Sequence, residues 1–447
     1  MRSYFLSSFL LFVLLVQTSG ADMPDAKKTF PYDYTRYKLD NGLNVIMIPM
    51  ESPGLVSYYS VVRTGSRDEW EPGKSGFAHF FEHMMFRGTE KYPGSTYDSI
   101  ITSLGADANA YTSDDLTVYH LDFASEDLEK VIEMESDRFQ NLKYDKREFQ
   151  TESGAVYGEY RKGRTSPWSV AFEKLHDMAF DRHTYKHTTI GFEQDIKDMP
   201  NQYEYSIGFF KRYYRPENIV IAVVGDINKD KTLSLIKKYY SSWQPGYQKP
   251  QIETEPPQTS ERSAEVSYPG KTLPLLIVAH KGDAFDANNI NMLAAVLMQD
   301  LAFGETSQLY KKLVLNEQKV QFVQADFGFS RDPKLLNIYA MIKDESDIDY
   351  VRNEILKTLE SFSQTTVDET KLKQLKQRQK YSFLMELDNP ANVSAVLPQF
   401  ITLTGGIDVI DELYNNLEKI TPEDIRSAAK YYFVPEKRNT VIVKGEK

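Results

Sequence analysis

Hydrophobic and polar positions along the chain predict two successive series of strands and helices. The first series opens with a hairpin at residues 34–50, in which apolar residues alternate on both sides of Asp40-Asn41-Gly42. Up to residue 225 the spacing predicts further strands at 56–63, within 107–123 and at 218–224, and helices at 97–104, 126–139 and 147–161. After residue 262 it predicts strands at 274–279, 320–327, 335–342 and 440–443, and helices at 287–301, 347–361 and 369–387.

A proline-rich stretch separates the two series. Residues 243–262 carry four prolines among Gln, Glu, Thr and Ser, a composition typical of an extended linker. Tyr213-Tyr214 before this stretch and Tyr431-Tyr432 after it each precede a Pro and then a strand that ends near a Gly. We therefore interpret the two series as related domains. The predicted bounds are 30–243 for the first domain, 244–262 for the linker and 263–447 for the homologous second domain.

Residues 75–88, SGFAHFFEHMMFRG, predict one short helix with two different faces. The first and last residues of this range, a Ser and a Gly, are the predicted N-cap and the predicted stop. His79, Glu82 and His83 share one face. The other face is an apolar stripe at positions i, i+3, i+4, i+7 and i+8, formed by Phe77, Phe80, Phe81, Met84 and Met85.

The two histidines stand one turn apart, close enough to share a metal ion. Zn²⁺ suits neutral imidazole, takes a third protein ligand and leaves a fourth position for water. Glu82 lies on the same face and could take a proton from that water. The order His79-x-x-Glu82-His83 is that of the inverted zincins. The alternative is a surface helix whose polar residues face water, but a histidine-rich stripe opposite a clean apolar stripe favours the metal.

A third ligand has to be a His or a carboxylate that returns to this helix. Glu152 and Glu159 lie seven residues apart on the predicted helix 147–161, and therefore on one face two turns apart. One of them could bind zinc while the other orients a histidine. The alternative is a pair of solvated glutamates, the commoner arrangement at this spacing. The remaining histidines share no helical face with a partner of metal-ligand type: His120, His176, His183, His187 and His280.

These motifs resemble those of the pitrilysin family of zinc peptidases, which includes insulin-degrading enzyme and mitochondrial processing peptidase. The resemblance implies a short, two-domain member of bacterial type. Its implied fold class is α+β, with two homologous domains that are each a mainly antiparallel β-sheet covered by α-helices. Only the first domain would bind metal, since the predicted helix 287–301 has no His. The motifs that carry the resemblance are His79-x-x-Glu82-His83, Glu152-x6-Glu159, Phe86-x-Gly88-Thr89, Asn109-Ala110-x-Thr112 and Gly304…Ser307-x-Leu309.

The resemblance also implies a role for each residue of the motif. His79, His83 and Glu159 are expected to bind one Zn²⁺ per chain, Glu82 to act as the general base and Glu152 to support catalysis. The expected activity is that of a zinc-dependent endopeptidase or oligopeptidase, which hydrolyses peptides in a closed chamber. The alternative is a non-catalytic structural or binding subunit of a pitrilysin-type complex, but subunits of that kind lose zinc ligands.

Two further expectations concern the substrate and a partner. The strand after Gly105 is expected to lie beside the metal with an unpaired edge, where a peptide adds as a further strand along Asn109 and Ala110. The alternative is that Asn109 and Ala110 form a turn at the entrance of a strand.

Relatives hold the substrate with an Arg and a Tyr of the second half of the chamber, yet strand 335–342 has no Arg. Since this chain supplies two of the four domains of a chamber, we expect an obligate dimer and favour a heterodimer with a zinc-free homologous subunit. A homodimer that uses Arg331 or another basic residue is the alternative.

Composition narrows the function classes and indicates export. A formal net charge of −11 without a basic stripe argues against nucleic-acid binding. The lack of cysteine excludes disulfides, a cysteine zinc site and a thiol nucleophile.

Residues 1–21 predict a signal peptide, with Arg2, an apolar run at 5–16 and small residues at 17–21. That run is short for a membrane span, so we expect a periplasmic protein with no stable span after cleavage; secretion or a signal anchor is the alternative.

Overall fold

The computed structural model of the chain describes residues 28–446, so the predicted signal peptide lies outside the described residues. Within this range the strands form two separate sheets, each covered by helices. No single helix between residues 28 and 446 has the length and apolar character needed to cross a membrane. Helices Pro390–Thr404 and Val409–Lys419 reach that apolar length only when taken together, across a bend of 87°.

The first sheet consists of β1 (Thr35–Lys38), β2 (Asn44–Pro49), β3 (Leu55–Val62), β4 (Asp107–Thr112), β5 (Thr117–Ala124) and β6 (Ile219–Gly225). The strands are ordered β1-β2-β6-β3-β5-β4. β2 and β6 run parallel, and the other neighbouring strands run antiparallel. β4 therefore lies at one edge of this sheet.

The second sheet consists of β7 (Arg262–Tyr268), β8 (Leu275–Lys281), β9 (Val320–Asp326), β10 (Leu335–Ile342) and β11 (Arg438–Gly445). Its order is β7-β11-β8-β10-β9, with β7 and β11 parallel and the other neighbours antiparallel. If β1 is set aside, the two sheets have the same strand order and the same strand directions. The predicted fold class, two homologous and mainly antiparallel α+β units, is confirmed. The bounds of the domains stay a prediction, and β7 begins at the last residue of the predicted linker.

The helices lie between these strands in chain order. They are α1 (Phe77–Met84), α2 (Gly94–Leu104), α3 (Leu128–Asn141), α4 (Lys146–Gly163), α5 (Pro167–Ala179), α6 (Glu193–Asp198), α7 (Tyr203–Tyr213) and α8 (Lys229–Tyr240) in the first half. In the second half they are α9 (Ile290–Phe303), α10 (Gln308–Tyr310), α11 (Ile348–Gln364), α12 (Glu369–Glu386), α13 (Pro390–Thr404), α14 (Val409–Lys419) and α15 (Pro422–Tyr432). α1 follows β3 and α9 follows β8, so these two helices occupy equivalent places in the repeat.

The two halves exchange a helix. α5 belongs to the first half but packs on the second sheet, where its buried residues join one hydrophobic cluster: Ala171, Leu175 and Ala179 with Leu275, Ile277, Val441 and Val443. α13 belongs to the second half but packs on β3 and β6 of the first sheet through another cluster, which includes Val393, Leu397 and Ile401 with Val61, Val220 and Ala222. Each sheet therefore has one face on which a helix of the other half packs.

Most predicted elements lie within three residues of the observed ones. The segment 107–123 holds two strands, β4 and β5, because the polar residues Ser113, Asp114 and Asp115 form a turn between them. β7, α5–α8, α10 and α13–α15 were not predicted. α13 is apolar around much of its circumference and contains Pro398, so its sequence lacks the one-sided stripe of a surface helix.

A polar junction also joins the two halves. The turn at residues 330–334, between β9 and β10, enters a set of loops of the first half. Asp332 accepts a hydrogen bond from Arg67 Nε (2.6 Å) and lies 2.9 Å from His183 Nε2. Lys334 forms an ion pair with Asp114, whose side chain is 16% exposed. Burial acts to raise the pKa of Asp114, but the charge of Lys334 outweighs it and holds that pKa well below its usual value of 3.8.

We predict that Asp114→Asn destabilises the protein in a pH-dependent manner. Removing one partner of a largely buried ion pair leaves the other charge uncompensated, at a cost on the order of 2 kcal/mol for a pair with some solvent access. Because the pKa of the folded state is depressed, the stabilisation is present above pH 3.8 and is lost as the pH falls below it. Chemical unfolding of the wild type and the variant at a series of pH values measures this difference.

The control is Glu90→Gln, which removes an exposed carboxylate paired with Lys143. Its stability is expected to match that of the wild type at every pH. A difference between wild type and Asp114→Asn that is absent at neutral pH, or that grows as the pH falls below 3.8, would contradict the assignment.

Candidate metal centre

Helix α1 presents two faces to different surroundings. Phe81 stacks on Phe209 of α7, with ring centroids 5.2 Å apart. On the opposite face the side chains of His79 and His83 are 16% and 19% exposed. The apolar residues of the helix are fully buried: Phe77, Phe80, Phe81 and Met84. The helix therefore has the two faces expected from the sequence, although it is only eight residues long and a single tighter turn, Met85–Arg87, completes the predicted range.

The start of α1 differs from the prediction. Gly76 is the N-cap, and the buried carboxylate of Glu69 accepts hydrogen bonds from the backbone N–H groups of Gly76 (2.7 Å) and Ala78 (2.6 Å). The hydroxyl of Ser75 instead donates to Asp195 (2.6 Å). The prediction of Ser75 as N-cap is therefore wrong, because a carboxylate from the preceding loop satisfies the free N–H groups of the helix. Burial raises the pKa of Glu69 well above its usual value, and the two N–H donors oppose that rise.

Helix α4 brings a carboxylate to the histidine face of α1. One oxygen of Glu159 lies 3.5 Å from His79 Nε2, and the other lies 3.6 Å from His83 Nε2. The two imidazole rings are nearly perpendicular, with centroids 4.9 Å apart. One potential ligand atom from each of these three residues lies within 4.8 Å of the other two. Between residues 28 and 446 no other three residues of ligand type come together in this way.

The geometry of this cluster fits a tetrahedral zinc ion. Zn–N and Zn–O bonds of about 2.0–2.1 Å place neighbouring ligand atoms about 3.3 Å apart, close to the two observed N–O separations. Burial, and secondarily the neighbouring His83, lowers the pKa of His79 from 6.5 to about 4. His79 is therefore neutral at pH 7, the form in which imidazole binds a metal. The donor set of two imidazoles and one carboxylate is one that zinc accepts.

Glu152 lies behind His83 and outside this cluster. It is 5% exposed, and one of its oxygens lies 3.3 Å from His83 Nδ1. Its other oxygen contacts the guanidinium group of Arg87. Because Glu152 faces Nδ1, the opposite nitrogen of His83 is directed toward Glu159. The structure thus separates the two glutamates, which sequence spacing alone does not.

Glu82 lies on the same helix and is hydrogen-bonded to the sheet. Its Oε2 accepts a hydrogen bond from the hydroxyl of Thr112 (2.6 Å), at the end of β4. Burial raises the pKa of Glu82 above its usual value, while the Thr112 bond and the charge of His83 oppose the rise. Glu82 is not one of the three clustered residues, so its carboxylate is available for proton transfer.

The predicted substrate residues lie on the edge strand β4. Asn109 is exposed, Ala110 is half-buried, and Asn109 is directly opposite His120 of β5. Thr112 ties the end of this strand to Glu82 of α1, so β4 runs beside the candidate metal centre. The edge position is as expected; binding of a peptide there stays a prediction.

Two family patterns match the chain. The pattern of insulinase (peptidase family M16) matches residues 52–192, and that of the peptidase M16 inactive domain matches residues 202–379. The chain belongs to peptidase family M16. This is the pitrilysin family, so the resemblance inferred from the motifs is confirmed.

The M16 chain is similar to proteins of the same length and to one longer protein. The zinc protease PqqE of Helicobacter pylori is 28% identical over 97% of this chain and 97% of its own. The crystal structure of a protease from Helicobacter pylori has a TM-score of 0.86 at 26% identity, covering 92% of this chain and 99% of that one. The periplasmic protease PqqL of Escherichia coli shares the fold, with a TM-score of 0.75 at 20% identity over 92% of this chain and 48% of that chain.

The M16 inactive-domain pattern covers α9, the counterpart of α1. α9 contains neither His nor Glu, so it has none of the residues that α1 presents at the candidate metal centre. The residues that sequence reasoning missed around the centre are Glu69 and Arg87. Both act through contacts that local spacing does not show, although an acidic residue ahead of the helix and a basic residue one turn after His83 are visible in the sequence.

We predict that the two glutamates of α4 respond differently to substitution. Glu159→Gln should lose zinc or bind it much more weakly, because Glu159 faces both Nε2 atoms. Glu152→Gln should still bind zinc and mainly lower activity, about 10- to 100-fold; any loss of zinc affinity should stay within the same range, the usual scale for a group that orients a ligand. Metal content and turnover of both purified variants, measured side by side, provide the check. Zinc retained by Glu159→Gln and lost from Glu152→Gln would show that the pair is reversed.

Proposed function

We propose that this M16 chain is a zinc-dependent endopeptidase or oligopeptidase, which hydrolyses peptides in a closed chamber. The observation that carries the proposal is the cluster of His79, His83 and Glu159, with Glu82 on the same helix. The separations of 3.5 and 3.6 Å suit one Zn²⁺ per chain. The relative PqqE, similar over nearly its whole length, is named a zinc protease, which supports the same activity here.

In the proposed reaction, Glu82 carries out the proton transfers. When bound, zinc would polarise the scissile carbonyl and lower the pKa of a water molecule. Thr112 holds one oxygen of Glu82, so the other oxygen is free to accept the proton of that water. Glu82 later returns this proton to the leaving amine. Burial raises the pKa of Glu82, which makes its carboxylate a stronger base toward that water.

The edge of β4 is the proposed substrate-binding strand. An unpaired strand edge offers N–H and C=O groups to which an extended peptide adds as one more strand. Asn109 and Ala110 lie in the middle of β4, between its first residue, Asp107, and its last, Thr112, which donates a hydrogen bond to Glu82. A peptide paired there would pass beside α1, which supports these two residues as substrate contacts.

The competing proposal is a non-catalytic subunit that uses the same fold. The inactive-domain pattern over residues 202–379 gives this alternative a specific basis for the second half. In the first half, however, the complete set of His79, Glu82, His83 and Glu159 comes together around α1 and α4. We therefore favour the enzyme.

Glu82→Gln tests this choice. The variant should fold and retain zinc, because Glu82 is outside the cluster of ligand atoms, and its turnover should fall by at least about 10²-fold. Wild type treated with a chelator should lose activity and regain it with zinc, and Glu90→Gln serves as an exposed-acid control. Near-normal turnover by a Glu82→Gln preparation free of wild type would rule out Glu82 as the base.

We further propose an obligate dimer and favour a heterodimer with a zinc-free homologous subunit. β10 has no Arg in the place where relatives carry the substrate-binding Arg. Asn337, the residue nearest to that place, is only 8% exposed. The guanidinium of Arg331, the candidate for a homodimer, donates to the carbonyl of Arg63 (3.0 Å) and lies 3.5 Å from Asp68. Because Arg331 is engaged by its own chain, the heterodimer is the better supported of the two.

The proposed location is the periplasm. The predicted signal peptide supports export, and the structurally similar PqqL of Escherichia coli is described as a periplasmic protease. Secretion and a signal anchor are the alternatives.

The partner proposal is tested with the chain expressed alone. We expect a zinc-loaded protein with low peptidase activity, which a zinc-free homologous subunit restores. Its mass in solution and its turnover of a peptide library are measured with and without that subunit. Full activity from a pure homodimer would overturn the heterodimer.

A further inference from the structure

One charged residue beside the metal centre has no role in the proposed reaction. Arg87 ends the short turn that follows α1, four residues after His83. Its side chain is 44% exposed and lines a cavity of about 690 Å³ together with Glu82, His83, Asp98, Glu148 and Glu152. A half-exposed arginine is commonly a surface ion-pair partner that contributes little. The position of its partner argues against that interpretation here.

That partner is the buried carboxylate of Glu152. One oxygen of Glu152 contacts the guanidinium of Arg87, and the other lies 3.3 Å from Nδ1 of His83. A carboxylate that is 5% exposed is costly without a compensating charge, and Arg87 supplies it. The contact also fixes the rotation of the carboxylate, because each oxygen has its own partner.

We propose that Arg87 is a positioning residue for the metal centre. Arg87 holds Glu152 so that Glu152 accepts the Nδ1–H of His83, which leaves the lone pair of Nε2 directed at Glu159 and His79. The inference rests on the proposed function, since it assigns to Arg87 the task of preparing His83 as a zinc ligand. Without Arg87, the carboxylate is free to rotate and His83 loses its preference for one tautomer.

The test uses the full-length mature protein with Arg87→Gln and Arg87→Met; the second side chain covers similar surface without a donor. Zinc affinity is measured by competition with a chelator of known strength. The tautomer of His83 in the metal-free protein is measured from its ¹⁵N chemical shifts. We expect zinc affinity to fall about 10- to 100-fold and His83 to shift from the Nδ1–H form to a mixture of forms. Arg87→Lys, which keeps a charged donor, should restore part of the affinity.

Arg164→Gln is the matched control. Arg164 follows α4, is 43% exposed and pairs with Glu173 at 2.9 Å, so it resembles Arg87 in exposure and pairing but does not contact Glu152. Its zinc affinity and the His83 tautomer should equal those of the wild type. Unchanged zinc affinity together with an unchanged tautomer in a folded Arg87→Gln or Arg87→Met variant would overturn the inference. A wild-type protein that binds no zinc would instead contradict the proposed function, so the two failures are distinguishable.

Discussion

The packing of α1 against α4 is the contact on which the candidate centre depends. Phe80 meets Phe149 of α4 edge to face, with ring centroids 5.0 Å apart, and both rings are fully buried. Phe149 begins the row of α4 residues that continues with Glu152 and Glu159, at spacings of three and seven residues. An aromatic contact in the core therefore joins the helix that carries the histidines to the helix that carries Glu159. Aromatic packing of this kind is rigid, since cores tolerate small volume changes poorly.

Core packing also joins the two halves of the chain. α5 and α13 cross between the halves, and each buries apolar residues against a sheet of the other half. The turn at residues 330–334 adds ion pairs across the junction. Two homologous units are thus held as one body by exchanged helices and by charges, and the edge strand β4 is held with them. In the proposed function a peptide pairs with this edge, and a fixed edge would bring its scissile bond to Glu82 in a defined position.

Sequence reasoning reached the features that depend on local spacing. The two faces of α1, the shared face of Glu152 and Glu159 and the β1–β2 hairpin follow from periods of 2 and 3.6 residues. The repeat of the two halves follows from the recurring order of two tyrosines, a proline, a strand and a glycine. Side-chain contacts that no periodic spacing indicates were not predicted. Glu69 of the preceding loop, and not Ser75, satisfies the N–H groups at the start of α1, and Arg87 was not connected with Glu152. The helices α5 and α13 were missed for a related reason, since each packs on a sheet of the other half. Spacing alone did not distinguish Glu152 from Glu159; the family resemblance implied Glu159 as the ligand, and in the structure Glu159 is the one that faces Nε2 of both histidines.

The most direct test of the account is a crystal structure of the zinc-loaded protein with anomalous data collected on both sides of the zinc absorption edge. The account predicts one anomalous peak per chain, about 2.0–2.2 Å from Nε2 of His79, Nε2 of His83 and an oxygen of Glu159, with Glu152 bonded to Nδ1 of His83. A peak elsewhere, or a peak bound by Glu152 in place of Glu159, would contradict it.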